Sequence, residues 1–335
     1  MYKVSILVPI YGVEQYIERC ARSLFEQTYV HLEYVFVNDC SPDRSIEILK
    51  EIMEDYPERK DAIRIVNHEK NRGLAAVRNT ALKFATGEFV SHVDSDDWLE
   101  NDAIENLVRV QQETGADIVS GNAIAHYSDR ITSLTEPEYI NKNEMIRQTI
   151  QLTLDHVIWR RLIRTSLYRD NNIAAVEGVN IGEDHYTLPR LVYYSKSFAR
   201  CDKVVYHYNC LNSSSYMQSF RNGFNLRRYR NDRDSIGILI DFFSKQNELG
   251  YVNELNAIKT KYIYKSFFPA IKAGDRSVYE ELCSDWRTID NSNKVAFGIS
   301  NRRNKLLACN YYVNRMRVWC RIIIKKVFGV KLYDL

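Results

Sequence analysis

The sequence lacks a metal–thiolate or disulfide framework. Its seven cysteines are an odd number, no two form a CxxC pair, and none has a histidine at a spacing that suits zinc. Thiols left reduced place the chain in the cytosol. Met1 runs straight into a strand, so no signal peptide is expected ahead of the fold. Long apolar runs are missing too, the longest falling far short of the ~20 residues of a membrane span. No GxGxxG follows any strand, which argues against an NAD-dependent enzyme. Charge of one sign is also scarce: the net is +3 over 335 residues, too little to make nucleic acid a partner of the whole surface. The exception is the end of the chain. From Asn301 onward nine lysines and arginines stand against one acidic residue, Asp334, so one end alone is suited to an anionic surface.

What is present is regular alternation. Val4–Val8 is a short apolar run, as expected of a parallel strand covered on both faces. Ile17, Cys20, Ala21, Leu24 and Phe25 recur at helical spacing. Tyr34–Val37 reads as a second strand, and Ser41 with Pro42 as the N-cap and first residue of a second helix carrying Ile46, Leu49, Met53 and Tyr56 inward. Ile63–Val66 is a third strand, followed by a helix over Leu74–Ala85 that Gly87 should stop. Phe89–Val93 is a fourth strand, then a helix from Asp102 to Thr114 ending at Gly115, and a strand over Asp117–Ser120. Beyond Gly121 the alternation weakens. A helix near Glu144–Leu154, another after Gly182 and a strand near Val204–Tyr208 follow, and from about Ser219 the pattern is helical. The fold class is α/β, a doubly wound, mostly parallel sheet with helices on both faces plus a C-terminal helical region.

The most informative stretch closes the fourth strand. Asp94, Asp96 and Asp97 put three carboxylates within four positions where an apolar strand emerges, the edge at which open α/β sheets bind ligands. Their mutual repulsion is relieved most simply by a divalent cation. Pro9 and Tyr11, Asn38 and Asp39, and the Asn71–Asn79 segment fall at neighbouring edges, so one crevice gathers all four features.

On these residues the chain resembles the inverting family 2 glycosyltransferases of the GT-A fold, especially enzymes of bacterial capsule and O-antigen assembly. Val4 to Tyr11, Val37 to Asp39 with Ser41, Asn71 to Leu74 through Arg78 and Asn79, Asp94 to Trp98, and Gly182 to Asp184 match in order and approximate spacing. The resemblance implies a donor half over 1–120, an acceptor half over 121–218 and a helical region over 219–335. It implies a UDP-sugar donor whose uracil meets Asp39 and the backbone near Pro9 and Tyr11. Mn²⁺ or Mg²⁺ would be held by Asp96, with Asp94 on the ribose or a metal-bound water and Ser95 beside them. Arg78 would meet the diphosphate, Asp184 would serve as base, and Glu183 would support it or touch the acceptor. For His207, with the polar loop Asn212–Ser215, closing over the phosphates or approaching the metal stands beside a structural histidine, and for Trp159 core packing stands beside a sugar-stacking platform. Asp43 reads as a first-turn acid outside the site.

The implied acceptor is a glycan or polyisoprenoid-linked glycan, and the expected location is the inner face of the bacterial membrane. In the tail, Met316, Trp319, Cys320, Ile323 and Val327 line one helical face while Arg317, Arg321 and Lys325 line another. Such a basic amphipathic helix suits an anionic bilayer, or docks its apolar face on the protein's own core. Arg221, Arg227, Arg228, Arg230 and Arg233 form a second basic group. A homo-oligomer is left open. The rival readings are a nucleotidyltransferase and a non-catalytic glycan-binding protein on the same fold.

Overall fold

A computed structural model describes residues 1–138, 141–151, 157–212 and 226–290. Its contacts divide the chain into two compact units, Met1–Ser214 and Ser215–Leu335. Among the described residues of the first unit, nine strands form one sheet. The parallel part comprises β1 (Val4–Ile10), β2 (Leu32–Asn38), β3 (Ile63–Asn67) and β4 (Phe89–His92), in the order β3-β2-β1-β4. The sheet continues through β8 (Arg161–Arg164), antiparallel to β4, then β6 (Ile118–His126), β9 (Phe198–Asn209) and the two-residue β5 (Trp98–Leu99). A ninth strand, β7 (Ile131–Leu134), pairs with β6 off this path. The expected α/β class stands: parallel pairing dominates the half that gathers the strand ends, and antiparallel pairs enter beyond β4.

Burial on both faces explains why the first strands read as apolar runs. Val4, Ile6, Val8 and Ile10 of β1 pack in one core with Ile17, Cys20, Ala21, Leu24 and Phe25 of α1 (Ile17–Phe25), the predicted stripe of that helix. Each such aliphatic side chain stabilises by about 1.5–3 kcal/mol when fully buried. Residues from α2 (Ser45–Met53) and α4 (Ala103–Thr114) complete this layer. Helix α3 (Leu74–Phe84) packs against β1 and β2 through Ala75, Ala76 and Val77. After β7 come α5 (Lys142–Ile150), α6 (Thr165–Asp170) and α7 (Glu183–Tyr194).

Four expectations about element ends meet the structure here. Gly115 does cap α4 in the left-handed region, at φ 70. Gly87 does not cap α3, whose C-cap is the extended Ala85. A Cβ on Gly87 would fall 2.6 Å from the Lys3 carbonyl oxygen, so the glycine marks close approach to β1 instead. Gly121 lies inside β6, where a Cβ would meet Val205 Cγ2 at 2.4 Å, and the β6–β9 register shifts beside it. The strand therefore runs six residues past the expected end at Ser120. Likewise α2 starts at Ser45 with Arg44 at its N-cap, not at Ser41.

In the second unit, α8 (Leu226–Lys245), α9 (Leu249–Ala273) and α10 (Arg276–Thr288) bury Tyr229, Ile263, Phe267, Val278, Leu282 and Trp286 together. Gly274 ends α9 at φ 76, and Asp275 caps α10 by accepting from Ser277 N and Val278 N. The second basic group is partly spent inside this bundle: Arg230 and Arg233 both pair with Glu281, at 2.7 and 2.6 Å. The basic tail and Arg221 lie outside the described residues. No helix among the described residues is long and apolar enough to cross a membrane.

Candidate active site

The ends of β1 and β2 form a shelf. Pro9 is partly buried and the Tyr11 side chain is half exposed just past β1. Asp39, 2% exposed, organises the neighbouring loop. Its Oδ1 accepts from Arg72 N at 2.9 Å and contacts His68 Nδ1 at 2.7 Å, while Oδ2 accepts from Gly73 N at 2.8 Å. His68 Nε2 meets Thr80 Oγ1 of α3 at 2.9 Å, so the chain β2–His68–α3 is continuous. A carboxylate offers about four acceptor positions, which leaves Asp39 capacity for a ligand N–H. Beside it Cys40 is exposed at φ 59.

Asp43 lies before α2 and not in its first turn. It accepts from Ser41 Oγ and Ser45 Oγ and, through Oδ2, from Glu14 N at 2.9 Å. Gly12 N and Val13 N donate to Ser41 Oγ and Ser45 Oγ. The turn after Tyr11 is thus braced by three side chains of the β2–α2 loop. Against the opposing pull of burial, the bonds from Ser41 and Ser45 hold the Asp43 carboxyl below its ordinary range.

The three clustered aspartates take different roles. Asp97 turns inward, 1% exposed, and accepts from Tyr206 Oη and Asn209 N, both at 2.7 Å. It clamps the end of β9 to the loop before β5. Burial, with Asp96 and Asp94 nearby, pushes its carboxyl well up. Asp94 and Asp96 face the crevice. Asp94 Oδ1 accepts from Arg78 Nη2 at 3.0 Å, and Asp96 Oδ2 from Asn212 Nδ2 at 2.8 Å. Burial and then the charge of Asp94 push Asp96 up to about 6, with Asn212 opposing. Ser95 is buried between them. No group of three His, Cys, Asp or Glu side chains among the described residues converges as a metal cage. Two crowded carboxylates instead fit a hard cation of the Mg²⁺ or Mn²⁺ type, which takes one or two protein oxygens and leaves other positions to phosphate and water.

Arg78, 4% exposed, ties this loop to the start of α7. Its Nε donates to Glu183 Oε1 at 3.1 Å, and its Nη2 lies 3.8 Å from Asp184 Oδ1. Arg78 Nη1 is buried without a partner among the described residues, placing an N–H where a ligand oxygen would use it. One guanidinium thus serves three acids. Burial and the adjacent Asp184 push Glu183 up to about 8, with Arg78 opposing. Two neighbouring carboxyls do not both ionise easily, and the Arg78 guanidinium is the cation that both face.

His207 is not brought to the aspartates. It follows Tyr206 on β9, and successive strand side chains point to opposite faces. Its Nε2 meets Glu100 Oε1 at 2.8 Å, its Nδ1 meets His126 Nε2 at 2.9 Å, and its ring stacks on Trp98 at 4.9 Å. These residues line a groove of about 830 Å³ together with Gln15 and Arg19. Trp159, 6% exposed, stacks on Tyr206 at 4.5 Å and on Tyr208 at 5.4 Å, which is packing. Ser213 to Ser215 of the polar loop after Asn212 lie outside the described residues. Sequence reasoning missed His68, Ser45 and the inward turn of Asp97, since each depends on a partner far along the chain.

A parallel half-sheet, an acidic loop leaving β4 and an acid pair opening α7 define the GT-A class. The sequence model of Glycosyl transferase family 2 matches residues 5–172, and the chain belongs to that family. The uncharacterized glycosyltransferase EpsJ of Bacillus subtilis (strain 168) is 35% identical over 191 residues, 54% of this chain and 53% of EpsJ. Glycosyltransferase GlyA of Streptococcus pneumoniae serotype 4 (strain ATCC BAA-334 / TIGR4) is 29% identical over 351 residues, 99% of this chain and 47% of GlyA. The chain spans about half the length of these relatives. S. aureus TarS 1-349, solved in complex with UDP-GlcNAc, has a TM-score of 0.67 at 19% identity, covering 99% of this chain and 93% of that one. At that identity the likeness concerns the fold alone.

Proposed function

We propose that the chain moves a sugar from a UDP-sugar to a glycan or lipid-linked glycan acceptor in bacterial surface polysaccharide synthesis, with inversion at the anomeric carbon. The observation that carries this reading is the Arg78 cluster, which joins Asp94 of the acidic loop to Glu183 and Asp184 of α7 through one buried guanidinium. Asp39, Pro9 and Tyr11 would take the base of the donor, and Asp94 its ribose. Asp96, with Asp94, would hold Mn²⁺ or Mg²⁺, which when bound neutralises charge on the diphosphate. Asp184 removes the acceptor hydroxyl proton as that oxygen forms its bond to the anomeric carbon. The bond from that carbon to the β-phosphate oxygen breaks, and its electron pair leaves with UDP. Arg78 Nη1 donates toward the diphosphate, and Glu183 keeps the guanidinium in place. The location consistent with this role is the cytoplasmic face of the cell membrane.

A thermal-shift screen of nucleotide sugars in Mn²⁺ tests the donor class, because a ligand that binds only the folded state raises the midpoint by mass action. A UDP-sugar is expected to give the largest rise. No rise with any uridine compound, set against a rise with another nucleotide, sinks the assignment.

A further inference from the structure

Residues 171–182 run between α6 and α7 without helix or strand and deliver the chain to Glu183 and Asp184. Of these residues only Ile173 and Ile181 are buried. An irregular segment with so little buried surface keeps its course only where side chains satisfy its backbone.

Beside backbone bonds at its start and middle, Ile173 N to Tyr168 O at 2.8 Å and Val179 N to Val176 O at 3.0 Å, two sets of side-chain contacts do this. One belongs to α7 itself: Tyr186 Oη accepts from Val176 N at 3.0 Å and donates to Val179 O at 3.1 Å, and Arg190 Nη2 donates to Ala174 O at 3.0 Å. Those bonds move with α7 and do not fix where it stands against the donor shelf. The other set runs to α3. Asn79 clasps Ala175 at both backbone groups, its Nδ2 donating to Ala175 O and its Oδ1 accepting from Ala175 N, each at 2.8 Å. Asn180 Oδ1 accepts from Ala75 N at 3.0 Å, and its side chain fills the space a Cβ on Gly73 would need. Arg72 Nη2 pairs with Glu177 at 2.6 Å, an exposed contact of small worth. Helix α3 is itself pinned to Asp39 through Gly73 N. Its Arg78, one residue before the clasp, reaches Asp94, Glu183 and Asp184.

We infer that Asn79 is a positioning residue for the acceptor base. By giving Ala175 the two hydrogen bonds a neighbouring strand would otherwise supply, it locks residues 171–182 onto the helix that also fixes the donor shelf. The distance from Asp184 to the anomeric carbon is then set by α3. This rests on the transferase reading above.

The test compares wild type, Asn79→Ala and Asn79→Asp. Asparagine-to-alanine removes both bonds, while aspartate keeps the bond from Ala175 N and loses the one to Ala175 O. UDP release from UDP-GlcNAc, or from the UDP-sugar that stabilises best, is expected to fall about 10- to 100-fold in Asn79→Ala, as misplacement of a reacting group by about 1 Å would produce. Asn79→Asp should lie between. UDP affinity by calorimetry should stay within about twofold for both. Amide exchange should quicken across residues 173–181 and stay unchanged across 76–84. Unchanged exchange at 173–181, or loss of UDP binding in step with turnover, overturns the inference. So does a turnover in Asn79→Ala equal to wild type. Wild-type protein that releases no UDP from any UDP-sugar overturns the transferase reading and the inference together.

Discussion

Asp184 sits in the first turn of α7, 3.8 Å from Arg78, beside a Glu183 pushed up to about 8. Removing its proton-accepting capacity without changing its shape should therefore touch the chemical step alone. Asp184→Asn is expected to lower turnover by roughly 10²–10⁴ while UDP binding, measured by calorimetry, is unchanged. Near-native turnover would take Asp184 out of the mechanism. Asp96 gives a second test, through stability. Its carboxyl is pushed from 3.8 to about 6 in the folded chain. A raised carboxyl contributes its stability below its unfolded value and loses it as the pH rises through the folded one. Asp96→Asn should therefore match wild type at pH 4 and exceed it at pH 8, by about 1–2 kcal/mol after discounting for partial solvation. Urea melts in a chelating buffer without nucleotide measure this, and a gap that does not widen with pH sinks it.

At the scale of elements, glycines carry meanings that only their neighbours disclose. Gly87 reads as a helix stop in sequence and proves to be the point where β4 meets β1, a Cβ there lying 2.6 Å from a backbone oxygen that cannot swing aside. Gly87→Ala should cost about 1–3 kcal/mol, seen as a lower urea midpoint at constant slope. An unchanged midpoint would mean that the strands part more easily than this packing allows. The same contrast governs what was legible. Strands β1, β2 and β4 announce themselves because parallel strands covered on both faces are largely apolar, whereas β3 is only half-buried and shows through its short Ile-Arg-Ile-Val run. Strand β8 is hidden by Arg161, whose buried charge is met by Glu136 at 2.7 Å and by the Val157 carbonyl at 2.8 Å. Strand β7 is hidden by its short, half-exposed pattern. In the candidate site, Asp39, Asp94 and Asp96 stand out at strand ends, Glu183 and Asp184 enter through the resemblance, and the contacts of Arg78 with Asp94, Glu183 and Asp184 appear only in the structure. The inward turn of Asp97, the grip of His68 on Asp39 and the Asn79 clasp span 29 to 112 residues of chain, so no local pattern encodes them.

For the whole molecule, the two units differ in kind. The first carries the sheet and every residue placed at the site, and the second buries an apolar core among three helices. Arg230 and Arg233 pair with Glu281 in that bundle, so part of the second basic group is neutralised within the protein. Membrane contact through residues 311–335, which lie outside the described residues, is a proposal from their sequence that liposomes can test. Liposomes rich in anionic lipid should sediment with the full chain and not with a chain ending at 310. Equal sedimentation would remove the anchor.

The thiol of Cys40 stands at the lip of the crevice, exposed, in a left-handed backbone bend, and next to Asp39. A natural chemical reporter is thereby built in. Maleimide alkylation followed by mass spectrometry should slow at Cys40 when UDP is added, while the rate at Cys283 of the second unit holds steady. Occupancy becomes readable without any engineered label, before the transferred sugar or its recipient is known.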